Sequence, residues 1–316
     1  MPGPAVDDVR GTTSTIDVDG IPVHTVEWRP AEAKPGRRVL LLHGLGSNTL
    51  TWEPFGAPLA ERLGATVTAV DLIGFGRTRT WGRSSGLATQ HRVVHRLLDA
   101  LGSVLIIGNS MGACIGIGVA AKRPEPVEGL VLINPAVPHP RPGVADWLRL
   151  AWLAPLTVPA LGAGVVALRA RALGPQRLVD ISLQTSVGRA ELVEPELRRR
   201  LVELTTERLR WPDAAPAYAD AARSLVAYLA RGLHRDMTTI RDSHPMLLLH
   251  GAEDKLVPLE AARHAASVHD VDLHVLDGMG HAPQLEDPNR VVDAVEVWLE
   301  SRALPGWSID RGARSN

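Results

Sequence analysis

A single cysteine, Cys114, stands in the 316 residues, so the chain can form no intrachain disulfide and gives no support to an oxidising compartment. Net charge is almost lacking: 34 Lys and Arg against 35 Asp and Glu leave −1. With neither a basic stripe nor an acidic tail, there is no electrostatic footprint for nucleic acid or for an anionic membrane surface. Aromatic residues are scarce, at 4% of the chain, with two Phe and two Tyr beside eight Trp. That bias carries no functional information. The opening residues, MPGPAVDDVR, are polar and lack the apolar stretch of a signal peptide. A cytoplasmic protein is the expectation. The length allows one large α/β domain or two smaller ones and is enough for a buried core.

Short apolar runs alternate with amphipathic stretches, the pattern of βαβ units on a largely parallel sheet. Strands are expected over 15–18, 23–28, 38–42, 66–70, 103–107, 129–133, 245–249 and 272–276. Most are rich in Val, Leu and Ile, as strands buried on both faces should be. Asp19-Gly20 marks a hairpin turn between the first two. Helices are expected over 89–101, 111–122, 259–268 and 288–299, the last with Pro288 in its first turn and Asp287 as N-cap. The alternation stops near Ala136 and resumes near Ser243. In between lie helical stretches at 176–187, 196–209 and 216–233, punctuated by proline. The domain reading is a core of residues 1–135 and 244–303, a helical insertion over 136–243, and a polar, poorly ordered tail over 304–316.

Gly108-Asn109-Ser110-Met111-Gly112 fits G-x-S-x-G between an apolar strand and a helix, the context that motif needs. The sharp reversal lifts the serine oxygen above the sheet edge and aims the Met111 N–H at the same place, at a helix N-terminus that favours negative charge. His43-Gly44-Leu45-Gly46 follows the third strand, where the Leu45 N–H can be a second oxyanion donor. His43 is read as a backbone-bonded residue that shapes this loop rather than as a base. Gly251-Ala252-Glu253-Asp254 follows the seventh strand. Glu253 and Asp254 compete for the role of acid, and the position of Asp254 in G-x-x-D-x-x-V-P favours it. Gly278-Met279-Gly280-His281 follows the last strand, with glycines that let His281 reach back over the sheet edge.

The order of these signals, oxyanion loop, serine, acid, histidine, resembles that of the α/β-hydrolase family, in its proline-iminopeptidase, esterase and C–C-hydrolase group. The resemblance covers residues 15–135 and 244–303. It includes the loop Val70-Asp71-Leu72-Ile73-Gly74-Phe75-Gly76, in which Asp71 is structural, and Gly280 to Pro288 around the histidine. It implies an eight-stranded, mostly parallel sheet flanked by helices, with a helical cap after the sixth strand. It also implies acyl transfer by Ser110, His281 and Asp254 with Leu45 and Met111 as oxyanion donors, no metal or organic cofactor, and a small apolar ester or ketone as substrate. Asn109, Trp147, Trp152 and Leu156 are the candidate substrate contacts. The last three belong to an apolar cap stretch that also holds Leu148, Leu150, Leu153, Val158 and Leu161.

That stretch, residues 150–168, is uncharged over a length that would span a bilayer. Pro155, Pro159, Gly162 and Gly164 interrupt it as a helix, and a span there would separate Ser110 from Asp254 and His281. A carboxylesterase is the leading expectation. A C–C hydrolase of aromatic ring-cleavage products is the alternative, since Asn109 precedes the serine as in that group. Ala113 and Ala282-Pro283-Gln284-Leu285 depart from its pattern, where a third glycine and a tryptophan are usual. A small-molecule receptor of the same fold is a third reading. Cys114 is expected to be a buried packing residue. His91 and His95, four apart on a helix, lack a third ligand and are read as a solvated face. Arg77, Arg79 and the run Arg198-Arg199-Arg200 are read as solvated too.

Overall fold

The computed structural model describes residues 11–139, 158, 161–302, 304, 306 and 307. Trp147, Trp152 and Leu156, expected in the cap pocket, lie outside them. All eight expected strands are present: β1 (Thr12–Val18), β2 (Ile21–Trp28), β3 (Arg38–Leu42), β4 (Thr66–Val70), β5 (Val104–Asn109), β6 (Val127–Ile133), β7 (Met246–Gly251) and β8 (Asp272–Leu276). They form one sheet in the order β1-β2-β4-β3-β5-β6-β7-β8. β1 and β2 pair antiparallel, as do β2 and β4, and the rest of the sheet is parallel. The first hairpin turns through Asp19 (φ 52°) and Gly20 (φ 78°), both left-handed as a tight hairpin requires.

Side chains alternate across the central strands and build a core on each face. Leu40, Leu42, Ile106, Leu130, Leu132 and Leu248 face one way, toward α2 (Leu87–Leu101) and α3 (Met111–Lys122). Val39, Leu41, Leu105, Ile107, Val131 and Leu249 face the other, toward α1 (Glu53–Leu63) and the C-terminal helix Pro288–Arg302. Helix α1 was not expected; two prolines and a glycine in EPFGAPLAERL mask its apolar face of Phe55, Leu59 and Leu63. The C-terminal helix begins as its sequence suggests, with Asp287 Oδ1 accepting the Arg290 N–H at 3.1 Å.

The insertion supplies α4 (Gly162–Ser186), α5 (Pro195–Arg208), α6 (Ala214–Arg231) and α7 (Leu233–Ile240). Gly162 and Gly164 do not break a helix but open α4, whose kink falls at Gly174 (φ 71°) before Pro175. Val158 and Leu161, from the apolar stretch noted in the sequence, are 42% and 59% exposed. Val179, Leu183, Leu197, Leu201 and Leu204 form a small core that rests on Leu50, Ala282 and Leu285 from loops at the carboxyl ends of the strands. Helix α7 departs from the expected boundary. Its Leu233, Met237 and Ile240 pack in the same cluster as α3, so it belongs to the sheet's own layer. No helix among the described residues is long and apolar enough to cross a membrane.

Several residues read as solvated turn out to be fasteners. Arg200 reaches the carboxylate of Glu53 with both guanidinium nitrogens, while Arg198 and Arg199 make exposed pairs with Asp180, Glu196 and Glu203. Arg79 donates to Asp213 at 3.1 Å and stacks on Trp211. His91 is buried and takes a hydrogen bond from Lys122 Nζ at 2.9 Å; burial and that nearby charge push its pKa down to about 3. Of the expected tail, residues 304, 306 and 307 alone are described, and 305 and 308–316 lie outside the described residues. Leu304 and Trp307 are buried, and Arg37 donates to the Gly306 carbonyl at 2.6 Å and stacks on the Trp307 ring.

Candidate active site

Between β5 and α3 the chain reverses within one residue. Ser110 takes φ 55° and ψ −113°, a left-handed conformation that a non-glycine residue holds only under local constraint. The flanking glycines are steric necessities. A Cβ on Gly108 would lie 2.5 Å from the Ala113 nitrogen, and one on Gly112 would run into the Leu42 carbonyl. The strained turn sets Ser110 at the head of α3. Met111 is the first residue of that helix, so its N–H has no partner within the helix. The Leu45 N–H likewise has no acceptor among the described residues. A Cβ on Gly44 would come within 3.3 Å of the Ser110 Cβ, which brings the loop after β3 against the serine.

His281 and Asp254 meet at the ends of β8 and β7. His281 Nδ1 donates to Asp254 Oδ2 at 2.7 Å, which leaves Nε2 as the free nitrogen. Asp254 Oδ2 also receives Asn134 Nδ2 at 2.7 Å, and its Oδ1 receives the Leu256 and Val257 N–H groups at 2.7 and 3.0 Å. Burial alone would raise this carboxyl. The hydrogen bond and charge of His281, with the Val257 and Asn134 donors, outweigh it and hold Asp254 below the usual carboxylate range. Glu253, the competing acid, is exposed.

The β3 and β4 loops are locked by a separate polar knot. His43 Nδ1 donates to the Gly44 carbonyl at 2.8 Å and Nε2 accepts the Leu72 N–H at 3.0 Å. Burial lowers its pKa, so the ring is neutral and both nitrogens are used by backbone. Asp71 accepts the Thr49 and Arg77 N–H groups at 2.7 Å each and lies 2.9 Å from His24 Nδ1.

The sequence matches the alpha/beta hydrolase family over residues 39–294. The chain belongs to that family. Among curated relatives, it is 28% identical over 301 residues to a 2-hydroxy-6-oxo-6-(2'-aminophenyl)hexa-2,4-dienoic acid hydrolase of Metapseudomonas resinovorans, covering 88% of this chain and 89% of that one. Among solved structures, a bacterial membrane phospholipase A superposes with a TM-score of 0.72 at 24% identity, covering 93% and 87%. A meta-cleavage product hydrolase from Pseudomonas fluorescens gives 0.68 at 20% identity, covering 93% and 99%. At these identities the solved structures speak to the fold alone.

Three residues of this α/β-hydrolase hold places that the sequence reading did not give them. Asn109, expected at the substrate, commits its amide hydrogens elsewhere: Nδ2 donates to the Ile133 carbonyl at 3.2 Å and to the His281 carbonyl at 2.9 Å. It is a brace between the serine turn and the histidine loop. Glu286 was not singled out at all. Its carboxylate accepts the Gly280 N–H at 2.7 Å and the Gly188 N–H at 2.9 Å, so it fixes the histidine loop and the end of α4 together. Asn134, which donates to Asp254 Oδ2, was given no role either. The sole local sign of its role is a left-handed φ of 44° at the end of β6. Cys114 is buried as expected, with Sγ 3.3 Å from the Ala136 carbonyl, and burial pushes its thiol up to about 12.

Proposed function

We propose that this hydrolase cleaves carboxylic esters with apolar acyl or aryl groups through an acyl-enzyme on Ser110. The observation that carries the reading is the 2.7 Å bond between His281 Nδ1 and Asp254, in a loop that Asn109 ties to the serine turn. Neutral His281 takes the Ser110 proton through Nε2 as the serine oxygen attacks the ester carbonyl. Asp254 holds the tautomer and stabilises the imidazolium. The Leu45 and Met111 N–H groups receive the oxyanion, each worth about 3 kcal/mol of barrier. His281 then protonates the departing alcohol, and water releases the acid by the reverse sequence.

The test is hydrolysis of p-nitrophenyl esters from acetate to laurate by wild type and by Ser110→Ala. Wild type should turn over, and Ser110→Ala should lose at least about 1,000-fold in kcat. Equal activity of the two proteins would remove Ser110 from the mechanism.

A second reading is C–C bond hydrolysis, favoured by the name of the Metapseudomonas relative and of a 27% identical 2-hydroxy-6-oxo-2,4-heptadienoate hydrolase of Pseudomonas putida. Ala113 and Ala282 depart from that group's pattern. A vinylogous 1,5-diketone separates the readings: loss of its visible absorbance without ester turnover would select the C–C reaction.

A further inference from the structure

Helix α6 crosses directly above the β3 and β4 loops, and it is built from small residues where it touches them. A Cβ on Gly74 would lie 2.6 Å from the Ala217 Cβ, and the Ser85 hydroxyl donates to the Ala217 carbonyl at 2.7 Å. The next residue, Tyr218, is one of only two tyrosines in the chain, and both lie on this helix. Tyr228 has a partner: its hydroxyl donates to Asp236 Oδ2 at 3.0 Å. The Tyr218 hydroxyl has none among the described residues.

The Tyr218 ring is nevertheless held in place. Gly46 lies in the left-handed region at φ 77°, and a Cβ there would be 2.8 Å from Tyr218 Cε2, 3.5 Å from Cδ2 and 3.9 Å from Cζ, along one edge of the ring. Phe75 meets the same ring edge-on, with centroids 6.5 Å apart. Gly46 therefore serves as a seat as well as a turn. That edge of the ring rests on the residue next to Leu45, whose N–H also lacks an acceptor among the described residues. On a half-buried ring held in place, a hydroxyl without a protein partner is free to donate to a ligand or to water.

We infer that the Tyr218 hydroxyl is a hydrogen-bond donor to the substrate on the oxyanion side of the site, contributed by the cap rather than by the sheet. This rests on Ser110 being the nucleophile. Burial pushes the phenol above its ordinary range, against a smaller opposite effect from Arg169, so the group stays protonated and able to donate at neutral pH.

The full-length protein and Tyr218→Phe would be compared for the rate at which an alkyl fluorophosphonate labels Ser110, followed by intact mass, and for kcat and KM on the best p-nitrophenyl ester. Phenylalanine keeps the ring contacts with Gly46 and Phe75. The expected result is labelling slowed by about 10- to 100-fold, a matching fall carried mainly by kcat, and an unchanged melting temperature. Equal labelling rates would overturn the role of the hydroxyl and leave Ser110 standing. A variant that melts several degrees lower would mark the hydroxyl as structural and overturn it as well. A wild type that takes no label at all would overturn the Ser110 reading and the inference with it.

Discussion

Asn134 shows how much of the site rests on residues that do no chemistry. Its Nδ2 supplies one of four donors to Asp254, and its Oδ1 receives the Gly251 N–H at 3.3 Å, so it joins the end of β6 to the end of β7. Asn134→Ala leaves Asp254 buried with one donor fewer. The expected outcome is a loss of about 1–3 kcal/mol of stability in urea unfolding, and a fall of roughly 10-fold in kcat. Unchanged kcat would mean that the Leu256 and Val257 donors suffice to hold Asp254. The places of Ser110, Asp254 and His281 just past β5, β7 and β8 were legible because each sits in a glycine-marked loop after an apolar strand. Asn134 was not, because the group it serves lies 120 positions away and a single asparagine after a strand has no distinctive spacing. Tyr218 was hidden for the same reason, since only the folded chain brings α6 over Gly46.

At the level of elements, the strands were read almost to their ends because runs such as VLIIGN in β5 are buried throughout. The insertion was read as three helical stretches where the described residues hold four helices, and their attachment was not read. Asp220 of α6 accepts the Ser84 hydroxyl at 2.5 Å and the Ser85 and Gly86 N–H groups at 3.0 and 3.1 Å. Gly86 is the N-cap of α2, and glycine carries no capping side chain. The insertion's helix therefore lends its carboxylate to the start of a sheet-layer helix, where the dipole favours negative charge. Asp220→Ala should lower the melting temperature by a few degrees in calorimetry, equivalent to about 1–2 kcal/mol. Asp213 repeats the device nearby, accepting the Thr80 N–H and hydroxyl at 3.0 and 2.7 Å. If Asp220→Ala melted like the wild type, α2 would have to be capped by solvent instead.

For the molecule as a whole, burial lowers the pKa of His43, His91, His250 and His269, with His91 at about 3. An unfolded histidine titrates near 6.5. Between that value and the folded pKa, the unfolded chain binds a proton that the folded chain excludes, so stability rises with pH. The contribution is fully present above about pH 6.5 and is lost as pH falls, at about 1.4 kcal/mol per unit for each excluded proton. Urea unfolding from pH 7 to 4.5 should show steadily falling midpoints, and a flat profile would contradict the burial of these rings. Asp71 and Asp254, both held below the ordinary carboxylate range, add a loss of the same sign below about pH 4.

The pairing of β6 with β7, Leu130 opposite Met246 through Ile133 opposite Leu249, has a further consequence. The two strands are parallel, so the chain leaves the sheet at the carboxyl end of β6 and returns, by way of α7, at the amino end of its immediate neighbour; what precedes α7 is a polymer loop with fixed ends. Closing such a loop costs an entropy that grows only logarithmically with contour length, about 0.6 kcal/mol for each doubling. Exchanging the part of the insertion that precedes α7 for a shorter or longer one would therefore leave the chain statistics of the sheet nearly unaltered.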